Sequence, residues 1–332
     1  MSKRSNKIRV GIIRCDTHGY WYAPIFEAPD PDIYRANHRG CHYYYYEWQD
    51  PRKLRKEVVP GFEIAAVWDG EDRTKAEKLS ECYRDRPLVC DSFEEVSDHC
   101  DLVYVADCNY EGKDHLRLAT PGITKGVPTF VDKPFAFTLA DAKAIIHLAD
   151  EHNVPIMCSS LMRQSPYLET FKNRFPDIAP VGVVIVPCGG PGLNAVFHGL
   201  STTQAIMGEG CRWVQSMGTK LFDVLRMRYA NSDAVMFNAM GRQQPTPTYA
   251  WSYSHCGYTA AAYGKGGAIH TPRIDDYLFL DGGVRIVQMA KRMVRTRKPP
   301  IPYSSILELM RIIEAARIAH NKGVTVALED AC

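Results

Sequence analysis

No long apolar run occurs anywhere in the 332 residues. The strongest early one, Ile8-Arg9-Val10-Gly11-Ile12-Ile13, is far shorter than the roughly 20 apolar residues that cross a bilayer or the core of a signal peptide. An excess of one charge is also missing: Lys+Arg 40 against Asp+Glu 38 leaves +2, which removes the electrostatic basis for binding nucleic acid or an anionic membrane. There is no C-x2-C pair; the densest run, Cys82, Cys90 and Cys100, is spaced too widely for a zinc site, and His38, Cys41 and His42 have no fourth ligand at a sensible spacing. No metal is therefore expected. The 11 cysteines, odd in number and spread thinly, read as reduced thiols of a cytoplasmic protein. Internal repeats, low-complexity tracts and an obvious flexible linker are absent too, and 45% hydrophobic with 23% charged residues is ordinary globular usage.

What is present is an alternation. Ile8–Ile13 reads as a buried parallel strand, followed by a loop over 14–19 and a helix over 20–27. Further strands are expected at Phe62–Asp69, Pro87–Cys90, Asp101–Ala106, Pro128–Val131 and Val154–Cys158. Helices are expected between them at Asp72–Tyr83, His115–Lys125 and from a Thr138 cap to His152. Such spacing specifies a doubly wound parallel sheet, a Rossmann domain. Residues 28–60, rich in Pro, Tyr and charge, read as an irregular insertion, and Tyr43-Tyr44-Tyr45-Tyr46 as a packed or subunit-contact segment rather than a base-stacking platform. Beyond 160, strands at Val181–Val186, Ala234–Phe237, Tyr258–Ala262 and Tyr277–Leu280 have fewer helices between them. They predict an α+β domain with a large, mostly antiparallel open sheet. At 332 residues two domains are expected, 1–134 and 135–332.

A dinucleotide fold places G-x-G-x-x-G after its first strand, and this chain has Arg14-Cys15-Asp16-Thr17-His18-Gly19, with only the last glycine retained. Asp16 opposes a pyrophosphate unless Arg14 or His18 offsets it; alternatively Asp16 and Thr17 cap the next helix. Asp69, ending the second strand, is placed to hold ribose hydroxyls, which favours NAD over NADP; alternatively it begins a turn with Gly70. Asp107 and His115 flank the end of the fourth strand, as cofactor-side residues or as helix caps. His255 and His270 are further histidines of the second domain, and Tyr263-Gly264-Lys265-Gly266-Gly267 does not have the spacing of a phosphate loop.

Val131-Asp132-Lys133-Pro134 with Thr138-Leu139-Ala140-Asp141-Ala142 resembles the Gfo/Idh/MocA (glucose–fructose oxidoreductase/inositol dehydrogenase) family, whose members carry E-K-P there. Three later segments resemble the family in order: Ser159 to Pro166, Gly189 to His198, and Ala316 to Leu328. Cys15-Asp16-Thr17-His18 with D-K-P is similar to a branch reading L-D-T-S-H. The resemblance implies a catalytic lysine at Lys133, a proton-shuttling or substrate-binding His198, and a substrate-contacting Asn194 where relatives often carry aspartate. It further implies cofactor contacts at Pro134 and Arg163, a carbohydrate substrate, and a homodimer or homotetramer. The activity expected is NAD-dependent hydride transfer at a secondary alcohol carbon of a sugar or polyol. A redox-neutral sugar epimerase, lyase or glycosidase retaining NAD is the first alternative. A sugar-binding scaffold that has lost cofactor is the second.

Overall fold

The computed structural model describes residues 6–15, 17–37, 57–107, 111–189, 192–238, 258–274 and 276–331, so Asp16, the 43–46 tyrosines, His38, Cys41, His42 and His255 lie outside the described residues. The chain forms two compact units, 1–158 with 283–303, and 159–282 with 304–332. This differs from a division at 134/135. The helix over 139–151 and the strand after it stay with the first unit, because that strand extends the first sheet in parallel.

The first unit is built on six parallel strands: β1 Ile8–Ile13, β2 Phe62–Trp68, β3 Leu88–Val89, β4 Leu102–Val105, β5 Thr129–Val131 and β6 Ile156–Met157. Their order is β3-β2-β1-β4-β5-β6, the doubly wound arrangement, whose strand order reverses between β1 and β4. All four residues of β4 are buried, as a central parallel strand requires, and Tyr104 stacks on Phe130 of β5 at 4.1 Å between ring centroids. The crossover helices are α1 Thr17–Phe26, α2 Pro31–Asn37, α3 Arg73–Glu81, α4 Phe93–Val96, α5 His115–Thr124 and α6 Leu139–Glu151. Thr138 caps α6, accepting from Asp141 N at 3.0 Å while its hydroxyl donates to the Asp141 carboxylate at 2.6 Å. Helix α2 corrects the irregular reading of 28–60: Asp30 accepts from the amides of Asp32 and Ile33, and Pro31 occupies the first helical position.

Gly19 brings α1 against β1. A Cβ there would lie 2.4 Å from the Arg14 carbonyl oxygen, so the third fingerprint glycine keeps its packing role. Gly19→Ala is expected to destabilise the first unit by about 1–3 kcal/mol, measurable by thermal denaturation.

The second unit carries α7 Pro166–Asn173, α8 Phe175–Ile178, α9 Leu193–Met207 and, for most of its length, α11 Tyr303–Lys322. Its strands are β7 Val181–Cys188, β8 Trp213–Met217, β9 Val224–Arg228, β10 Asp233–Asn238, β11 Ala261–Gly264, β12 Gly267–His270 and β13 Val326–Ala327. The sheet order is β12-β11-β7-β10-β9-β8-β13, antiparallel at every pairing except β7 with β10. Tyr277–Leu280 is not a strand but the start of α10 Asp276–Thr296. Its apolar residues continue at helical spacing through buried Phe279, Ile286, Val287, Ala290 and Met293, and that period outweighs four β-prone residues. Tyr258 contributes a single bridge to Ile274, and the strand itself begins at Ala261.

Candidate functional site

In the first unit the candidate residues gather where β1, β2, β4 and β5 end. Arg14, at the first glycine position of the fingerprint, has φ 72°, the left-handed conformation that favours glycine. The backbone turn is thus retained although the residue has changed. Its side chain is buried, donating to Asp114 at 2.8 Å, with Asp107 at 3.9 Å, Glu71 at 4.0 Å and the Trp68 ring centroid 5.6 Å away. Burial works against the guanidinium charge, yet the hydrogen bond and field of Asp114, with Asp107 and Asp69, hold its pKa above the ordinary value. Asp114 is half-buried, and Arg14 outweighs that partial burial to hold its carboxyl below the ordinary range.

Asp69 accepts from Cys15 N at 2.8 Å and from the amides of Glu71 and Asp72 at 3.1 and 3.3 Å. It therefore ties the loop after β1 to the turn after β2, and the turn reading is realised in the geometry. His18, on the first turn of α1, hydrogen-bonds through Nδ1 to buried Asp132 at the end of β5. The two segments in which this chain departs from the E-K-P and glycine patterns meet in that pair. Thr17 opens α1. Lys133, only 5% exposed, makes no ion pair or side-chain hydrogen bond among the described residues, and Pro134 beside it is buried.

Asp107, Asp114 and His115 bring ligand atoms within 4.8 Å of one another, a donor set suited to a cation, and the cation among them is the Arg14 guanidinium. His115 is fully buried between the carbonyl oxygens of Phe135 and Asp107, and burial pushes its pKa below the ordinary value of 6.5. The folded state takes up the His115 proton only at lower pH than the unfolded chain, which does so below about 6.5. Unfolding therefore binds a proton in that range, and this share of stability, present above about 6.5, is lost as pH falls below it. Melting temperature is expected to drop between pH of about 7.5 and about 5.5, with a shallower drop in His115→Gln. Burial also raises the thiols of Cys82, Cys90, Cys100 and Cys211 to about 12, which makes them poor nucleophiles.

In the second unit, Asn194 and His198 lie four residues apart on α9. Gly199 seats that helix on the sheet: a Cβ there would meet Met236 Sδ at 2.7 Å and Cys188 Cβ at 2.9 Å. Buried His198 places Nδ1 2.6 Å from Ser160 Oγ and its ring 5.6 Å from that of Tyr258. Arg163 donates to Gln204, which in turn donates to Ser305 O at 3.0 Å and Glu308 at 3.2 Å, so the structure brings this arginine to α9 and α11. His270 ends β12. The pairings of Ser160, Asp114 and Asp132 are what sequence reading missed. Their partners lie 38 to 114 positions away, beyond any local signal.

Residues 43–160 match the family described as "Oxidoreductase family, NAD-binding Rossmann fold" (Gfo/Idh/MocA). A Salmonella typhimurium protein named as an oxidoreductase, YceM, is 29% identical over 119 residues, 36% of this chain and 37% of that protein, so the match spans about a third of the relative. Among solved structures, GenD2 from gentamicin A biosynthesis in complex with NAD is similar at TM-score 0.73 and 14% identity, covering 98% of this chain and 97% of that one. An Agrobacterium radiobacter oxidoreductase in complex with NAD+, L-tartaric acid and magnesium gives 0.72 and 13%, with coverage of 98% and 100%. The scyllo-inositol dehydrogenase of Lactobacillus casei gives 0.69 and 12%, again covering 98% and 100%. At such identities these likenesses speak for the fold. The family match is thus confined to residues 43–160, and it is to oxidoreductases with an NAD-binding Rossmann fold.

Proposed function

We propose that this chain is a nicotinamide-dinucleotide-dependent oxidoreductase acting on a secondary alcohol carbon of a sugar, polyol or derivative. The observation that carries the reading is Lys133, buried at the C-terminal end of β5 with no side-chain partner among the described residues. Ligands of doubly wound sheets bind at that edge, and the family's catalytic lysine falls on this residue. The inositol dehydrogenase and the NAD complexes among its structural neighbours support the same class.

The residues present fit the dinucleotide in backbone terms. Arg14 keeps the left-handed turn, Gly19 keeps the close approach, and the N-terminus of α1 follows directly, an end that favours anions. Arg14 supplies the nearby cation, Asp107 and Pro134 stand at the ends of the neighbouring strands, and the resemblance adds Asp16, Thr17, His18 and Arg163 as cofactor contacts. The fixed Asp69 carboxylate repels a 2′-phosphate, which favours NAD over NADP. When bound, the dinucleotide supplies the hydride acceptor. Lys133 handles the proton of the reacting hydroxyl and donates N–H to the developing alkoxide; substrate contacts for His198 and Asn194 are what the resemblance implies. A homodimer or homotetramer in the cytoplasm completes the proposal.

The engagement of Arg14 by three carboxylates favours a second reading, ligand binding without cofactor. Calorimetry with NAD and NADH separates the two, after denaturing a sample to look for carried-over nucleotide. Micromolar NAD binding lost in Asp69→Ala is the expected result. Nucleotide released only on denaturation favours redox-neutral chemistry with a retained cofactor. No nucleotide by either route removes both enzymatic readings.

A further inference from the structure

We propose that Ser160 is a positioning residue that fixes His198 as the Nε2–H tautomer, so that the imidazole carries its hydrogen-bond donor at Nε2. The protons around one buried hydroxyl decide the tautomer. Ser160 is fully buried, and its Oγ has one hydrogen and two lone pairs. Met162 N donates to that oxygen at 3.1 Å, which uses one lone pair. The remaining neighbour is His198 Nδ1 at 2.6 Å. If Nδ1 carried the proton, it would donate to Oγ, and the serine hydrogen would face no acceptor among the described residues. A buried donor left without an acceptor carries its full desolvation penalty. With the hydroxyl donating to Nδ1, Ser160 Oγ, Met162 N and Nδ1 are all satisfied and the ring proton sits on Nε2.

A neutral imidazole presenting N–H polarises an oxygen on which charge develops, and leaves removal of the hydroxyl proton to another group. The backbone reinforces the geometry: Thr202 Oγ1 donates to His198 O at 2.9 Å, and Gln164 donates to Ser159 Oγ at 3.0 Å beside the serine. The catalytic significance rests on the oxidoreductase reading; the tautomer does not.

Long-range 1H–15N correlation spectra of the full-length, 15N-histidine-labelled protein test the tautomer without substrate or cofactor, with His198→Gln assigning the signals. An unprotonated, hydrogen-bond-accepting Nδ1 and a protonated Nε2 are expected. Ser160→Ala should erase the accepting signature of Nδ1, and Ser160→Thr, which retains the hydroxyl, should restore it. Once a substrate is found, Ser160→Ala is expected to lower kcat by about tenfold with little change in KM, reversed in Ser160→Thr. A protonated Nδ1 in the unaltered protein, or an unchanged pattern in Ser160→Ala, overturns the proposal. Failure to find any oxidised substrate instead overturns the oxidoreductase reading and leaves the spectrum to decide the tautomer.

Discussion

Lys133→Met will lower turnover by about 10²- to 10⁴-fold while leaving the fold as stable as before or more so. The two halves of that result come from one observation: Lys133 is 5% exposed and has no side-chain partner among the described residues. Methionine preserves the apolar stem and removes a polar head that no described side chain pairs with, so packing is kept and nothing else is orphaned. On the proposed mechanism the proton-handling group is lost with it. Initial rates of NAD reduction, using the polyol the unaltered protein oxidises fastest, measure the first half, and thermal unfolding measures the second. Full activity in Lys133→Met would remove lysine from the mechanism. A large fall in melting temperature would assign it a structural role instead.

His18→Ala should produce the largest loss of stability outside the hydrophobic core. Asp132 is 1% exposed; one carboxylate oxygen bonds to His18, and the other has no partner among the described residues. Deleting the histidine leaves a buried carboxylate uncompensated, a change worth about 3–5 kcal/mol. His18 is itself 19% exposed, so water can reach part of the gap, and the lower end of that range is expected. Urea or thermal unfolding followed by circular dichroism reads it directly. Asp132→Ala alone should also destabilise, and the double variant should lose much less than the sum of the two, because the second deletion removes the charge the first had stranded. Additive losses would mean that the two side chains do not depend on each other.

Much of the first unit was legible because its signals are local. Runs such as Leu102-Val103-Tyr104-Val105 are apolar on both faces, as strands covered by helices on both sides must be, and Thr138 with Asp141 announces a helix start within four residues. Local reading failed where two periods compete over a short window. Tyr277–Leu280 looks like a strand until the apolar positions are followed through residue 293. It failed again at 28–60, where composition masked the Asp30-Pro31 start of α2. The division of the chain was also a tertiary matter, since residues 283–303 return to the first unit after more than a hundred residues spent in the second.

The sequence by itself determined the alternating strands and helices and the family resemblance, because periodicity, caps and an ordered set of short motifs are properties of neighbouring positions. Tertiary structure alone decided what each of those residues faces. It turned Asp69 toward three backbone amides, drew Arg14 into a cluster of carboxylates, paired His18 with Asp132, and set Ser160 against His198. A buried charge or hydroxyl must find its partner in space. In a doubly wound sheet the strand ends that meet at the crevice belong to segments far apart in the chain, so the partners are written nowhere near the residues they satisfy.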